Sequence, residues 1–331
     1  MTELNVFKFG GKMSEAEWVL KGTIPLGHLV LVTAQAGIGK SFWLEALAVS
    51  VVHGRSFMGK NTIAGDVLLI DQDTASDDLN KRLNRFALAI EGKPKHKLHV
   101  LSMQGLSLKD DTLTRAINRF PDVVLVIIDS LHSLCVGLDT NTTKDMSKLA
   151  SLKSRCCDSG KTVAFSHHIS EKNTDTVDDM MFGEVRKLSM GNSVVNQQAD
   201  SYYIMASSVN KGQLDKLYIR PVSKRALLPQ QPFKASLVNG TGSSLSFEYG
   251  GLVEKAKDVN ETYVMNLFEK PEDWKSVNDC QEELKGLVGL NKVRDVLMQL
   301  HHLGKLAFNK AGPNKYMFCL PENKEEVNDD E

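Results

Sequence analysis

Residues 33–41 read TAQAGIGKS, Thr33 to Ser41. The apolar run HLVLVTA (28–34) precedes them and SFWLEALAVSVV (41–52), with helical spacing, follows. A strand, a glycine-bearing loop ending in Gly-Lys-Ser, and a helix form a phosphate-gripping arrangement. The chemistry requires backbone amides turned inward on phosphate oxygens at a helix N-terminus. The expected cradle is Ala36, Gly37, Ile38, Gly39, Lys40, Ser41 and Phe42. Gly37 and Gly39 allow the backbone to approach closely, Lys40 is to meet the β- and γ-phosphates, and Ser41 is to hold Mg²⁺. The pattern usually begins with glycine, and Ala34 stands there. As the last residue of a strand, its methyl is expected to be tolerated. The expected cofactors are ATP and Mg²⁺.

Outward from this loop, apolar runs recur at DVLLID (66–71), VVLVIIDS (123–130), TVAFSHH (162–168), SYYIM (201–205) and KLYIRPV (216–222). Helically spaced segments at 41–53, 74–90, 109–119 and 142–158 separate several of them. Strand–helix alternation of this kind predicts βαβ units and a mainly parallel sheet. The early runs are apolar throughout, as strands covered on both faces are. The fold class is therefore α/β, and a first domain is expected over 1–235.

Three further stretches carry chemistry. Asp129 ends the run VVLVIID, where a carboxylate completes Mg²⁺ binding beside Ser41; it also fits a helix cap in DSLHSL. Asp71 and Asp73 follow the next strand after the loop, in LLIDQDTAS. Hydrolysis needs a carboxylate to orient and deprotonate water, and Asp73 is the candidate, Asp71 the structural alternative. Both acids equally suit the first turn of the following helix. In AFSHHISEK, His167 or His168 ends a buried strand abruptly, and either one could sense the γ-phosphate or be a satisfied core or cap histidine. His168 is carried as the catalytic candidate, with Lys40, Asp73 and Asp129.

Together these residues resemble a RecA-fold ATPase, most closely the plasmid RepA-type hexameric helicases, over about residues 15–235. The likeness rests on EWVLKGTIPLGHLVLVTAQAGIGKS, VLLIDQD, LVIIDSLHSL, TVAFSHH and GNSVVNQQADSYYIM. In that family the catalytic acid follows the second strand, which matches Asp73, although glutamate is usual there. Two channel-facing loops are implied, at about 135–146 and 169–190, and such loops hold DNA. The second carries Lys172, Arg186 and Lys187 but also Asp175, Asp178, Asp179 and Glu184. Its Met180, Met181 and Phe182 suit either base contact or packing. RPVSKRALLP resembles the strand that reaches a neighbouring subunit's ATP, with Arg220, Lys224 and Arg225 as matches; of these Lys224 and Arg225 are the nucleotide-contacting candidates. A homo-oligomer, possibly a hexamer, and single-stranded DNA in its channel are what the resemblance implies.

Past residue 235 the texture changes. LLPQQPF and NGTGSS are turn-forming, and 236–258 reads as a connector. Residues 259–321 show three helical patterns and two strands around AGPN, the layout of a winged helix-turn-helix. Six basic residues and one acid lie in 285–321, against two basic and seven acidic residues in 259–284. That polarity predicts a duplex- or fork-binding face on the third helix and wing. The tail 322–331 holds six acids and one lysine and is expected to be disordered.

Net charge is −1, so any basic surface is local. The five scattered cysteines suggest reduced thiols in a cytoplasmic protein. The longest purely apolar runs are about six residues, against the roughly 20 a membrane span needs, so no membrane partner is expected. Two other readings fit the motifs. One is a RecA-type recombination or repair ATPase; the other is an ATP-switched DNA-binding regulator or helicase loader.

Overall fold

A computed structural model describes residues 17–139, 142–157, 159–169, 177–183, 195, 198–207, 216–223, 231–253, 259–285, 290–312 and 315–321. The chain divides into two compact units, 1–254 and 255–331.

The first unit opens with a small hairpin, β1 (Trp18–Leu20) and β2 (Ile24–Pro25). The main sheet is assembled from β3 (Leu29–Ala34), β4 (Asp66–Asp71), β5 (Leu98–Ser102), β6 (Val123–Asp129), β7 (Thr162–His168), β8 (Ser201–Ser207), β9 (Leu217–Ser223), β10 (Phe233–Asn239) and β11 (Leu245–Leu252). Across the sheet the order is β11-β10-β9-β8-β3-β7-β6-β4-β5. From β5 through β8 neighbouring strands are parallel; β9, β10 and β11 continue antiparallel.

Alternation along each strand builds two cores. Val30, Val32 and Ala34 of β3 join Val67 and Leu69 of β4 on one face. Leu29, Leu31, Leu68 and Ile70 point to the other. Helices α1 (Lys40–His53) and α2 (Ser76–Leu88) cover the first face. The second is covered by α3 (Thr112–Asn118), α4 (Leu131–Leu134), α5 (Thr143–Cys157) and α6 (Val177–Phe182). Burial on both faces explains the unbroken apolar runs. Helix α1 is buried almost all round, matching its lack of a polar stripe.

The expected connector at 236–258 is not one over its described part. Residues 233–239 and 245–252 pair as an antiparallel hairpin, and β10 also pairs with β9. The main sheet therefore extends past residue 235. Ala235 and Phe247 are buried while alternate positions are half-buried or exposed, so the segment never shows a continuous apolar run. Of the two readings of Met180 and Met181, packing is the one found: both are buried in the second core.

The second unit has α7 (Val259–Met265), α8 (Val277–Glu283) and α9 (Leu290–His302). A three-stranded antiparallel sheet accompanies them: β12 (Lys275–Ser276), β13 (Ala307–Gly312) and β14 (Lys315–Cys319). Ser276 caps α8 through a capping box with Asp279. Val293, Val296, Leu297 and Leu300 of α9 are packed inward with Val264, Cys280 and Phe318. The five cysteines are free thiols. Among the described residues no helix is long and apolar enough to cross a membrane.

Candidate functional site

The parallel register decides where the site lies. Ala34 stands opposite His168 across the β3–β7 pair, and Asp71 opposite Asp129 across β4–β6. Ends of neighbouring parallel strands thus finish level, and their following loops meet at one sheet edge, where α/β proteins hold their ligands. A cavity of about 450 Å³ opens there, lined by Gly37, Gly39, Lys40, Ser41, Phe42, Asp73, Thr74, Arg82, Asp129 and His168. Size alone would not select it. A larger hollow of about 720 Å³ in the second unit, between Pro271, Trp274, Leu320 and Pro321, has Glu272 as its one charged side chain and no comparable convergence of charged groups.

Gly37 and Gly39 adopt φ of 78° and 84°, a left-handed conformation that a side chain strains. Ala34 needs no such freedom; it is the buried last residue of β3. Gly39 begins α1 with no side-chain cap, and no acid occupies the first turn. The N–H groups of that turn have no helical acceptor, so the helix start suits an anion.

Lys40 is 5% exposed. Its Nζ donates to the carbonyls of Ala34 (3.1 Å) and Gln35 (3.0 Å) and lies 3.3 Å from His168 Nδ1. An ammonium only donates, so that histidine nitrogen accepts and the ring is the neutral Nε2–H tautomer. Burial, then the Lys40 charge, pulls the His168 pKa down, in keeping with a neutral ring. His168 therefore touches the phosphate-loop lysine directly.

Asp129 is 8% exposed and accepts a bond from Ser166 Oγ on the neighbouring β7. Asp71 is nearly fully buried, and its Oδ1 accepts from the backbone N–H of Asp73 (2.8 Å) and Thr74 (2.7 Å). Asp71 thus builds the turn that presents Asp73. The carboxylate of Asp73 is exposed at the cavity and lies 2.7 Å from Ser133 Oγ and 3.1 Å from Ser130 Oγ.

One wall residue, Arg82, and its buried partner Glu45 escape a motif reading. Arg82 of α2 lies over the Phe42 ring at 5.2 Å and donates to Thr74 Oγ1 at 3.1 Å. It also pairs with Glu45 at 2.7 Å and approaches Asp71 at 3.6 Å. Glu45 is 1% exposed in the middle of α1. A lone acid inside the otherwise apolar SFWLEALAVSVV is the one sequence signal for it, since carboxylates are rarely buried unpaired.

Burial pushes the Glu45 carboxyl up to about 8 from an ordinary 4.5; Arg82 opposes this, and Asp129 and Asp71 reinforce it. The folded state therefore holds this proton more tightly than the unfolded chain does. Its contribution to stability is complete below about pH 4.5 and is lost as pH rises through about 8. Glu45→Gln removes the titration. Thermal unfolding is expected to give similar midpoints for the variant and the parent at pH 5, and a midpoint higher by at least about 3 °C for the variant at pH 8. Parallel pH profiles for the two proteins would contradict a buried, proton-holding Glu45.

The residues fit a magnesium nucleotide. Ser41 and Asp129 would hold the cation, which supplies neutralising charge to the phosphates when bound. Among the described residues no group of three or more His, Cys, Asp or Glu is placed to hold a metal ion, so such a cation would rely on phosphate and water for its other ligands. Of the earlier candidates, Arg220 donates to the carbonyls of Met180 (3.2 Å) and Gly183 (2.7 Å) within its own chain. Lys224 and Arg225 lie outside the described residues, as does most of the loop at 169–190.

No curated protein matches the chain in sequence. The AAA domain family does, over residues 4–174, more than half the chain and a span containing the phosphate loop, Asp73, Asp129 and His168. A helix start prepared for phosphate, a lysine and the carboxylates of Asp73 and Asp129 converge within the matched span, and the chain belongs to the AAA domain family, with a core that is a nucleotide-dependent P-loop ATPase domain.

Proposed function

We propose that the protein is an ATP-driven motor acting on DNA, a replicative helicase of the RepA/DnaB type that hydrolyses ATP between the subunits of a ring. The observation that carries this reading is the convergence of Lys40, Asp73, Asp129 and His168 on one cavity, at the edge of a sheet whose parallel strands run β5-β4-β6-β7-β3-β8. In the reaction Asp73 takes a proton from the water that attacks the γ-phosphorus, as the bond to the leaving ADP oxygen breaks. Lys40 faces the phosphate charge, and His168, in contact with Lys40, reports phosphate occupancy to the segment after β7.

The second unit supports the DNA part of the proposal. Three helices and a three-stranded sheet match the winged-helix layout. Helix α9 turns its apolar side inward and exposes Arg294, which lies 5.6 Å from the Tyr316 ring of the wing. Lys285 and Lys310 are exposed too, whereas Lys305 is paired with Glu261 at 3.6 Å. These cations suit phosphate contacts on duplex or fork DNA. Within the ATPase unit, Lys224 and Arg225 remain the residues proposed to reach a neighbour's nucleotide.

The deciding experiment combines fork unwinding, with Lys40→Ala as control, and electron microscopy of the protein with forked DNA and a non-hydrolysed ATP analogue. Rings and ATP-dependent unwinding that the Lys40→Ala protein lacks are expected. A strict monomer sinks the helicase and trans-subunit proposals together. Filaments with strand exchange would instead indicate a recombinase, and tight ATP binding with negligible turnover a DNA-binding regulator or loader.

A further inference from the structure

We propose that Ser133 is the positioning residue of Asp73. Its hydroxyl holds Asp73 Oδ1 by the shortest contact, Ser130 holds Oδ2 more loosely, and the second lone pair of Oδ2 receives the proton of the attacking water. The inference rests on the assignment of Asp73 as the base.

Three short oxygen contacts join these side chains. Ser133 Oγ lies 2.7 Å from Asp73 Oδ1, Ser130 Oγ lies 2.8 Å from Ser133 Oγ, and Ser130 Oγ lies 3.1 Å from Asp73 Oδ2. Two serines bring only two hydroxyl protons to three contacts, and the carboxylate brings none. A carboxylate is the stronger acceptor, so Ser133 donates to Oδ1 and Ser130 to Oδ2, and the contact between the two hydroxyl oxygens is the one left without a proton of its own. The backbone N–H of Ser133 returns a bond to Ser130 Oγ at 3.3 Å, which fixes Ser130 as its acceptor. The bond from Ser130 to Oδ2 is the longest of the three contacts, and Oδ2 keeps its second lone pair for water.

Placement argues the same way. Ser133 does not line the nucleotide cavity. It lines, with Asp73, Gln72, Met103, His132 and Val136, a second hollow of about 670 Å³. Asp73 is common to both, so Ser133 reaches the carboxylate from the side away from the nucleotide. A group so placed acts on turnover through Asp73 and has little leverage on ATP binding. Aspartate also has one methylene fewer than glutamate, so a shorter reach leaves less room for a misdirected carboxylate. An exposed Asp73 without its hydroxyl partner would sample several rotamers, few of them directed at the reacting water.

The test is steady-state ATP hydrolysis by the full chain carrying Ser133→Ala, Ser133→Thr, Ser130→Ala and Asp73→Asn, singly, and Ser133→Ala combined with Asp73→Asn. Ser133→Ala is expected to lower kcat about tenfold with KM for ATP unchanged within about twofold. Ser133→Thr, which keeps the hydroxyl, should restore kcat, and Ser130→Ala should cost less than Ser133→Ala. In the Asp73→Asn background Ser133→Ala should add no further loss, because both changes act on one unit. The proposal is overturned if Ser133→Ala leaves kcat intact while Asp73→Asn has lost it. It also falls if the two losses multiply, or if Ser130→Ala is the costlier serine change. Full turnover by Asp73→Asn overturns the base assignment itself, and the proposal with it.

Discussion

Lys40→Ala should reduce ATP turnover by about 10³-fold, since even one preorganised donor to developing charge contributes about 10²–10³ in rate. Lysine is held at 5% exposure with all three ammonium donors engaged, by Ala34, Gln35 and His168. The charge is thus stored at the loop before nucleotide arrives, in surroundings where it is worth more than in water. Burial lowers its pKa to about 8, and the Asp129 carboxylate partly offsets the fall. The charged form is the one below that value. In the parent protein kcat/KM, which reports the free enzyme, should therefore decline as pH rises through about 8. The decline should be shallower in kcat, because bound phosphate favours the ammonium. Phosphate release across a pH series measures both effects. Turnover by Lys40→Ala within tenfold of the parent would exclude the assigned role, as would a kcat/KM profile still flat beyond pH 9.

Asp73→Asn has the second large expected effect, a fall in kcat of about 10²–10⁴, the usual contribution of a positioned acid or base. The amide keeps the shape and still accepts from Ser133, but it cannot take a proton from water. Asp71, which accepts two backbone N–H bonds, continues to hold the turn in the variant. ATP affinity, measured by equilibrium titration, should stay within about threefold, because binding rests on the phosphate loop rather than on Asp73. Loss of binding together with turnover would show that Asp73 serves the fold and not the proton transfer.

The two predictions draw on different amounts of sequence information. Lys40 was legible as a local motif. The loop, the strand before it and the helix after it lie within one continuous stretch, and Gly37 and Gly39 mark the backbone conformation directly. Strands β3, β4, β6, β7 and β8 were legible for a related reason: burial on both faces leaves unbroken apolar runs. The edge strand β5 and the antiparallel strands β10 and β11 have half-buried or exposed positions. Their weaker patterns look like loops, and the segment from 236 read as a connector.

The sequence by itself determined the phosphate loop, the strand-end carboxylates and the three helices and hairpin of the second unit, though not its short strand β12, because each depends on residues close along the chain. Tertiary structure decided which carboxylate does what. Asp71 and Asp73 are separated by one residue, and only the fold turns one into the backbone support and exposes the other at the cavity. It also brought Ser133 to Asp73 across 60 positions and set Arg82 against Glu45. It tied Arg220 to carbonyls of its own chain. The physical reason is common to all three. A hydrogen bond or ion pair between distant residues leaves no periodic trace in sequence, and it exists only where strand register and helix packing bring the partners within about 3 Å.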